Sequence, residues 1–458
     1  MAASTRPSYS IDVCFGDRMP TPTTRIEVQT PLAGADNRVT ARVLVITQNC
    51  SVPRDRRVWS ELLTLRASGY EVVAICPTGD GADTTRFERR DGIDIFRYSQ
   101  PRATGSALSY LREYAVAFHR IRRLARTVAG ARGFDIVQAS NPPDFLLMTV
   151  YFLKRRGARL IFDHHDLVPE LYLARFGDGG AALYRLTRLI EHLNYRLADI
   201  VLATNESYKR VALERGRMRS EDVFVVRSGP DLARFGPVAL DPELKRGRRA
   251  LISFIGEMAP QDGVDHALRA LAHLLRQRDD WHAIFAGYGP AFDDLRALTT
   301  SLGLDDHVEF TGWLEDAELQ RVLSASDLCL APDPKTPLSD ASTLVKIAEY
   351  MAMSRPIVSY DLIESRVTAG EAAIYARPND PVAFADAISV LLDEPERRAL
   401  MGRIGRERVE QTLSWEHASA VLLAAYEAAL SRQPSRWARR RGSVGAPCDA
   451  AVARTARG

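Results

Sequence analysis

The chain is predicted to be an α/β protein built from two Rossmann-like domains in tandem. Three observations carry this: short apolar runs alternate with helical patterns, the series breaks once in a polar stretch, and it then starts again. The first run, Arg42 to Thr47, reads as a parallel strand buried on both faces. A helix is expected over about Asp55 to Ser68, with Gly69 as its stop, followed by the strand Glu71 to Cys76. The alternation continues through Phe134–Gln138, Arg159–Asp163, Ile200–Thr204 and Val223–Val226, which implies βαβ units. A polar segment from Ser228 to Arg249 holds Pro230, Pro237 and Pro242 and reads as a linker. The second series runs through Ala250–Ile255, His282–Ala286, His307–Phe310, Asp327–Leu330 and Pro356–Ser359. A last amphipathic helix spans Trp415 to Leu430. The organisation expected is a disordered arm over 1–40, a first domain over 41–228, a linker over 229–249, a second domain over 250–413, a crossover helix over 414–431 and a disordered tail over 432–458.

At 458 residues the length allows two large domains, and a hydrophobic content of 46% with 26% charged residues is ordinary for a soluble globular protein. A net charge of +3 gives no nucleic-acid signal. Basic residues are nearly all Arg; Lys occurs only at 154, 209, 245, 335 and 346, so Lys346 stands out. The five cysteines, Cys14, Cys50, Cys76, Cys329 and Cys448, lack metal spacing and fit a reducing compartment. No signal-peptide core and no apolar run near ~18 residues is present, so a cytoplasmic location is expected.

The segment Ser342 to Met353 carries the most chemistry. It reads as a polar loop capped by Ser342 or Thr343, then a short helix. A helix N-terminus favours phosphate, and Lys346 and Glu349, three residues apart, can face one side. In sheets of this kind ligands lie beyond the carboxyl ends of the strands, and the cleft between the domains is the expected site. Asp163-His164-His165-Asp166 could suggest a metal, but no matching cluster accompanies it, so no metal is assigned. Phe145–Leu153 with Lys154-Arg155-Arg156, and Arg120, Arg122, Arg123 and Arg126 nearby, reads either as a core helix with exposed cations or as a membrane patch.

These motifs, in order, resemble the retaining nucleotide-sugar glycosyltransferases of family four, which have the two-domain GT-B fold. The resemblance covers roughly 41–431. It rests on Gly287-Tyr288-Gly289-Pro290, Val308–Gly312, Ala325–Leu328, Glu349–Ala352, Arg355–Val358, His165-Asp166-Leu167, Asn205-Glu206-Ser207 and Arg227–Asp231. It implies an acceptor-side first domain, a donor-binding second domain and a final helix returning to the first. It implies that Glu349 binds the donor ribose, that Ser342, Thr343 and Leu344 cradle the diphosphate beside Gly256 and Gly287, and that His165 and Asp166 meet the transferred sugar. The reaction implied is front-face transfer with retention, in which the leaving phosphate oxygen takes the acceptor proton.

Departures from the family pattern are also plain. Positions that usually offer an Arg and a Lys to the diphosphate read Gly256-Glu257 and Asp262-Gly263, and the usual first carboxylate falls at Ala341, with Asp340 as its neighbour. The first domain's expected Gly-Gly loop is replaced by Asn49 to Arg57. Lys346 is the expected substitute cation, with Lys335, Arg366, Arg54 and Arg57 as further candidates. Arg56 and Arg57 also read as a solvated face of the first helix behind Asp55. No Asp-x-Asp occurs, so a metal-bridged diphosphate is not expected and no cofactor is assigned beyond the donor. The acceptor is unassigned, with a lipid-linked saccharide and a peripheral membrane contact at the inner face as expectations. A nucleotide-sugar epimerase or a non-catalytic donor-binding scaffold remains open.

Overall fold

The structure, a computed structural model, describes residues 41–79, 81–101, 107–176 and 180–432, with the backbone paths of 8–13 and 24–29. In the expected arm, β1 (Ser8–Val13) pairs antiparallel with β2 (Thr24–Gln29). The alternation of Tyr9, Ile11 and Val13 and of Ile26 and Val28 has the period of a strand, a signal too short to count as sustained. The rest of the arm and residues 433–458 of the expected tail lie outside the described residues.

The first large sheet holds β3 (Arg42–Ile46), β4 (Glu71–Pro77), β5 (Phe87–Arg90), β6 (Ile93–Tyr98), β7 (Ile136–Ser140), β8 (Arg159–His164), β9 (Ile200–Ala203) and β10 (Val223–Val225), in the order β10-β9-β8-β7-β3-β4-β6-β5. The run β8-β7-β3-β4-β6 is parallel, and β5 adds an antiparallel edge. Every residue of β3 and β8 is buried, which is why these strands read as unbroken apolar runs. The first helix, Arg56–Ala67, is capped by Asp55, whose carboxylate accepts from the Val58 N–H at 3.1 Å.

The second sheet holds β11 (Ala250–Ile255), β12 (Trp281–Ala286), β13 (Val308–Gly312), β14 (Leu328–Ala331), β15 (Ile357–Tyr360) and β16 (Ala373–Ala376), all parallel, in the order β13-β12-β11-β14-β15-β16. The strand order reverses between β11 and β14, so the crevice at the carboxyl ends of those two strands is the place such a sheet offers a ligand. Its core includes Phe254 and Phe285, with ring centroids 5.7 Å apart, and Phe285 stacks on Phe310 at 5.4 Å.

By packing, the chain divides into two compact units, one of Met1–Asp163, Leu193–Val201 and Leu423–Gly458, the other of His164–His192 and Leu202–Leu422. The terminal helix, Trp415–Ser431, brings Tyr426 onto the first sheet, where its hydroxyl donates to Gln138 Oε1 at 2.7 Å. Beside the helix start, Trp415 N–H donates to the Pro230 carbonyl, and a Cβ on Gly229 would sit 2.1 Å from the Leu413 carbonyl oxygen. Two chain passages therefore run backbone against backbone there, and only glycine fits.

The apolar run at Phe145–Leu153 forms the helix Leu146–Lys154, and Leu146, Leu147, Val150 and Leu153 are buried. This is the core reading, and the membrane-patch reading of that run is set aside. Lys154 pairs with Asp199 at 2.9 Å, and the guanidinium groups of Arg122, Arg126 and Arg156 lie 5.4, 5.3 and 5.8 Å from the Phe152 ring, while Arg123 and Arg155 are exposed.

Candidate functional site

The crevice at the strand reversal is built first from glycine. Gly256 (φ 145°) follows β11 and Gly287 (φ 144°) follows β12. A Cβ at Gly287 would lie 1.8 Å from the Gly256 carbonyl oxygen, so the two turns can stack only without side chains. The Gly256 N–H donates to Ala286 O at 3.1 Å and the Gly287 N–H to Gly312 O at 2.8 Å. A floor of bare backbone results, close to the helix Val345–Ala352.

That helix differs from expectation at its start. Its N-cap is Leu344, in an extended conformation with no side-chain cap, while Ser342 closes the preceding helix Pro337–Ala341. Thr343 and Ser342 are instead held from outside the loop. Asn205 caps its own helix, Glu206–Glu214, by accepting from Tyr208 N–H at 2.7 Å. Its amide nitrogen then donates to Ala341 O at 2.8 Å and to Thr343 Oγ1 at 2.9 Å. Tyr208 Oη meets Ser342 Oγ at 3.0 Å. Burial first, and then the Asp166 carboxylate, push the Tyr208 phenol far above its ordinary range, so it stays protonated. The loop before the helix is thus pinned at three points, and its backbone N–H groups are fixed in direction.

Lys346 is buried and binds both oxygens of buried Asp333, at 2.9 and 2.8 Å. Its ammonium also lies 4.8 Å from the Phe254 ring centroid. Asp333 follows β14, so carboxylate and lysine occupy the reversal point itself. Burial pushes the Asp262 carboxyl up to about 7; Asp333 and Glu257 add to this, and Lys346 opposes it. The acidic residue at 262 therefore shares the neighbourhood of the lysine, while Glu257 is exposed. Glu349, one turn further along, is half-buried.

Of the other candidate cations, Arg57, Arg366 and Lys335 have carboxylate partners. Arg57 is not a solvated face; its guanidinium pairs with Glu61 at 3.2 Å and Asp163 at 3.1 Å, both fully buried. Gln138 donates to those same two carboxylates at 2.6 and 3.2 Å, so a single guanidinium and one amide serve both. Arg54 is exposed. Arg366 pairs with Asp361 at 2.8 Å and stacks over Tyr375 at 4.2 Å. Asp340 accepts from Ile363 N–H at 2.9 Å, in the first turn of the helix Ile363–Ala369, with Lys335 at 3.4 Å. His165 and Asp166 follow β8 and are half-buried. Asp333 escapes sequence reading because an aspartate between two prolines looks like a turn residue; its only signal is its place after a strand at the reversal point.

Comparison with known proteins bears on this arrangement. The family described as Glycosyl transferase 4-like domain matches residues 55–229, and that described as Glycosyl transferases group 1 matches residues 249–394. A 2-deoxystreptamine glucosyltransferase of Streptomyces kanamyceticus is 28% identical over 246 residues, 52% of this chain and 62% of that protein. The chain thus spans under two thirds of that relative's length. Sucrose-phosphate synthase from Thermosynechococcus elongatus has the same fold, with a TM-score of 0.68 at 19% identity, covering 84% of this chain and 98% of that one. Anabaena HepE, solved in complex with UDP and glucose, gives a TM-score of 0.63 at 16% identity, covering 85% of this chain and all (100%) of that one.

Proposed function

The chain belongs to the GT-B glycosyltransferases of the group 1 and 4-like type, and from that premise we propose that it moves a monosaccharide from a nucleoside diphosphate sugar to an acceptor hydroxyl with retention. One observation supports this most: a buried lysine at the start of a braced helix, beside a glycine floor, at the reversal point of a parallel sheet. The diphosphate lies against the N–H groups of Val345 and Lys346, where the helix dipole favours negative charge. Glu349 accepts hydrogen bonds from the ribose, and His165 and Asp166 face the sugar. Bond breaking between the anomeric carbon and the phosphate oxygen raises charge on the leaving group. Lys346 leaves Asp333 to meet that charge. The acceptor oxygen bonds to the anomeric carbon on the same face, and its proton passes to the departing phosphate.

No metal is assigned a part in this reading, since a lysine and a helix terminus supply the positive charge and the sequence has no Asp-x-Asp. HepE, bound to UDP and glucose, makes a UDP-sugar the first donor to try. The free thiols Cys50, Cys76 and Cys329 fit work in a reducing compartment, the cytoplasm. Among the described residues no helix is long and apolar enough to cross a membrane. A lipid-linked saccharide is the acceptor class proposed.

A thermal-shift screen of UDP-, GDP- and TDP-sugars is expected to give one clear stabilising donor. With that donor and an acceptor, proton NMR should show the donor's anomeric configuration kept in the product. Inversion would overturn the retaining assignment, and conversion of donor alone into an isomer would favour an epimerase.

A further inference from the structure

We propose that the helix Ala181–Leu197 is a docking face for an anionic lipid surface. Leu183, Leu186, Leu189 and Leu193 are 41, 47, 53 and 42% exposed. At 100° per residue they share one arc of about 120°, so together they form a stripe along the helix. Glu191, on the opposite side, is buried, Asn194 just beyond the stripe's edge is also buried, and Tyr195 packs edge-on against Phe162 at 5.4 Å. Arg215 is ion-paired with Glu191 and Glu170, which holds the helix in this rotation. Four leucines therefore face out from a helix whose acidic residue is turned inward.

Charge selects the occupant. Arg185 and Arg196 are exposed at the edge of the stripe, whereas Arg188 lies on the other side of the helix, paired with Glu191 at 3.7 Å. The helix has one acidic residue, Glu191, and it is the buried one. Leucines with arginines along one edge fit acyl chains below anionic headgroups. A second copy of the chain paired antiparallel about a two-fold axis would set the same arginine edge against itself. This inference stands apart from the donor reading, since the face can be tested with no nucleotide present.

The test uses the full chain with phosphatidylcholine vesicles, with and without phosphatidylglycerol, in a co-sedimentation assay, together with sedimentation equilibrium. Binding is expected only with phosphatidylglycerol and should weaken as salt rises. Leu186→Glu with Leu189→Glu should lower partition roughly tenfold or more, with circular dichroism unchanged. Arg185→Gln with Arg196→Gln should lower it several-fold while leaving the leucines in place. Equal sedimentation with both vesicle types, or unchanged partition in either variant, would overturn the proposal. So would a wild-type dimer that the leucine variant converts to monomer.

Discussion

Replacing Lys346 with methionine separates two roles that one residue could fill. In the resting protein its ammonium holds both oxygens of Asp333, and the two side chains are 9 and 4% exposed. Removing the cation strands a buried carboxylate beside Asp262 and Glu257, a loss of about 3–5 kcal/mol in stability. If Lys346 also meets the leaving diphosphate, kcat should fall about 10²–10³-fold, as when one transition-state donor is removed. The double variant Lys346→Met with Asp333→Leu takes the charge away on both sides. It should regain most of the stability, to within about 1–2 kcal/mol of the parent, because an apolar pair of similar size replaces a buried ion pair at little cost. Turnover should stay low. Urea unfolding and initial-rate kinetics with the selected donor give the two readouts. Recovery of both stability and turnover in the double variant would make Lys346 a structural cation and refute its role at the phosphate.

Asp262, with its carboxyl near 7, gives a pH signature. The folded chain keeps this proton while the unfolded chain releases it near 3.8, so stability from this group is full at acidic pH and is lost as pH rises from about 4 through about 7. Donor KM should rise over the upper part of that window as a second negative charge appears beside Lys346, and Asp262→Asn should flatten both profiles. Gly287→Ala places a Cβ 1.8 Å from Gly256 O at a φ of 144°, so the midpoint of thermal unfolding should drop by more than about 5 °C and donor-induced stabilisation should vanish. Asn205→Ala removes a helix cap and both bonds to the 341–343 loop. It should cost about 2–3 kcal/mol in unfolding experiments and raise donor KM; unchanged KM would mean the loop needs no brace.

Much of the fold was legible because buried parallel strands leave unbroken apolar runs, as at Arg42–Ile46 and Ala250–Ile255. Besides β1 and β2 in the arm, strands β5, β6 and β16 were missed. Phe87–Arg90 is a polar edge, Ile93–Tyr98 mixes Asp94 and Arg97 into a buried strand, and Ala373–Ala376 is short and alanine-flanked. Asp94 and Arg97 are tolerated inside because Arg89 and Glu88 pair with them, a compensation no local pattern reveals. At the site, Gly256, Gly287 and Lys346 stand out in sequence through residue type and place. The Asp333 partner and the Asn205 and Tyr208 braces do not, because each depends on residues 13 to 138 positions away. The cap at Ser342 or Thr343 was misread for a related reason: their hydroxyls are claimed by Tyr208 and Asn205, which leaves Leu344 to start the helix.

In the proposed reaction an activated sugar's diphosphate rests on the amino end of the helix Val345–Ala352 with Lys346 turned toward it. A crystal structure of the chain with its selected donor tests this directly. The account predicts phosphate oxygens within about 3 Å of the Val345 or Lys346 amides and the Lys346 ammonium moved off Asp333. A diphosphate bound elsewhere, with the Lys346–Asp333 pair intact, would contradict it.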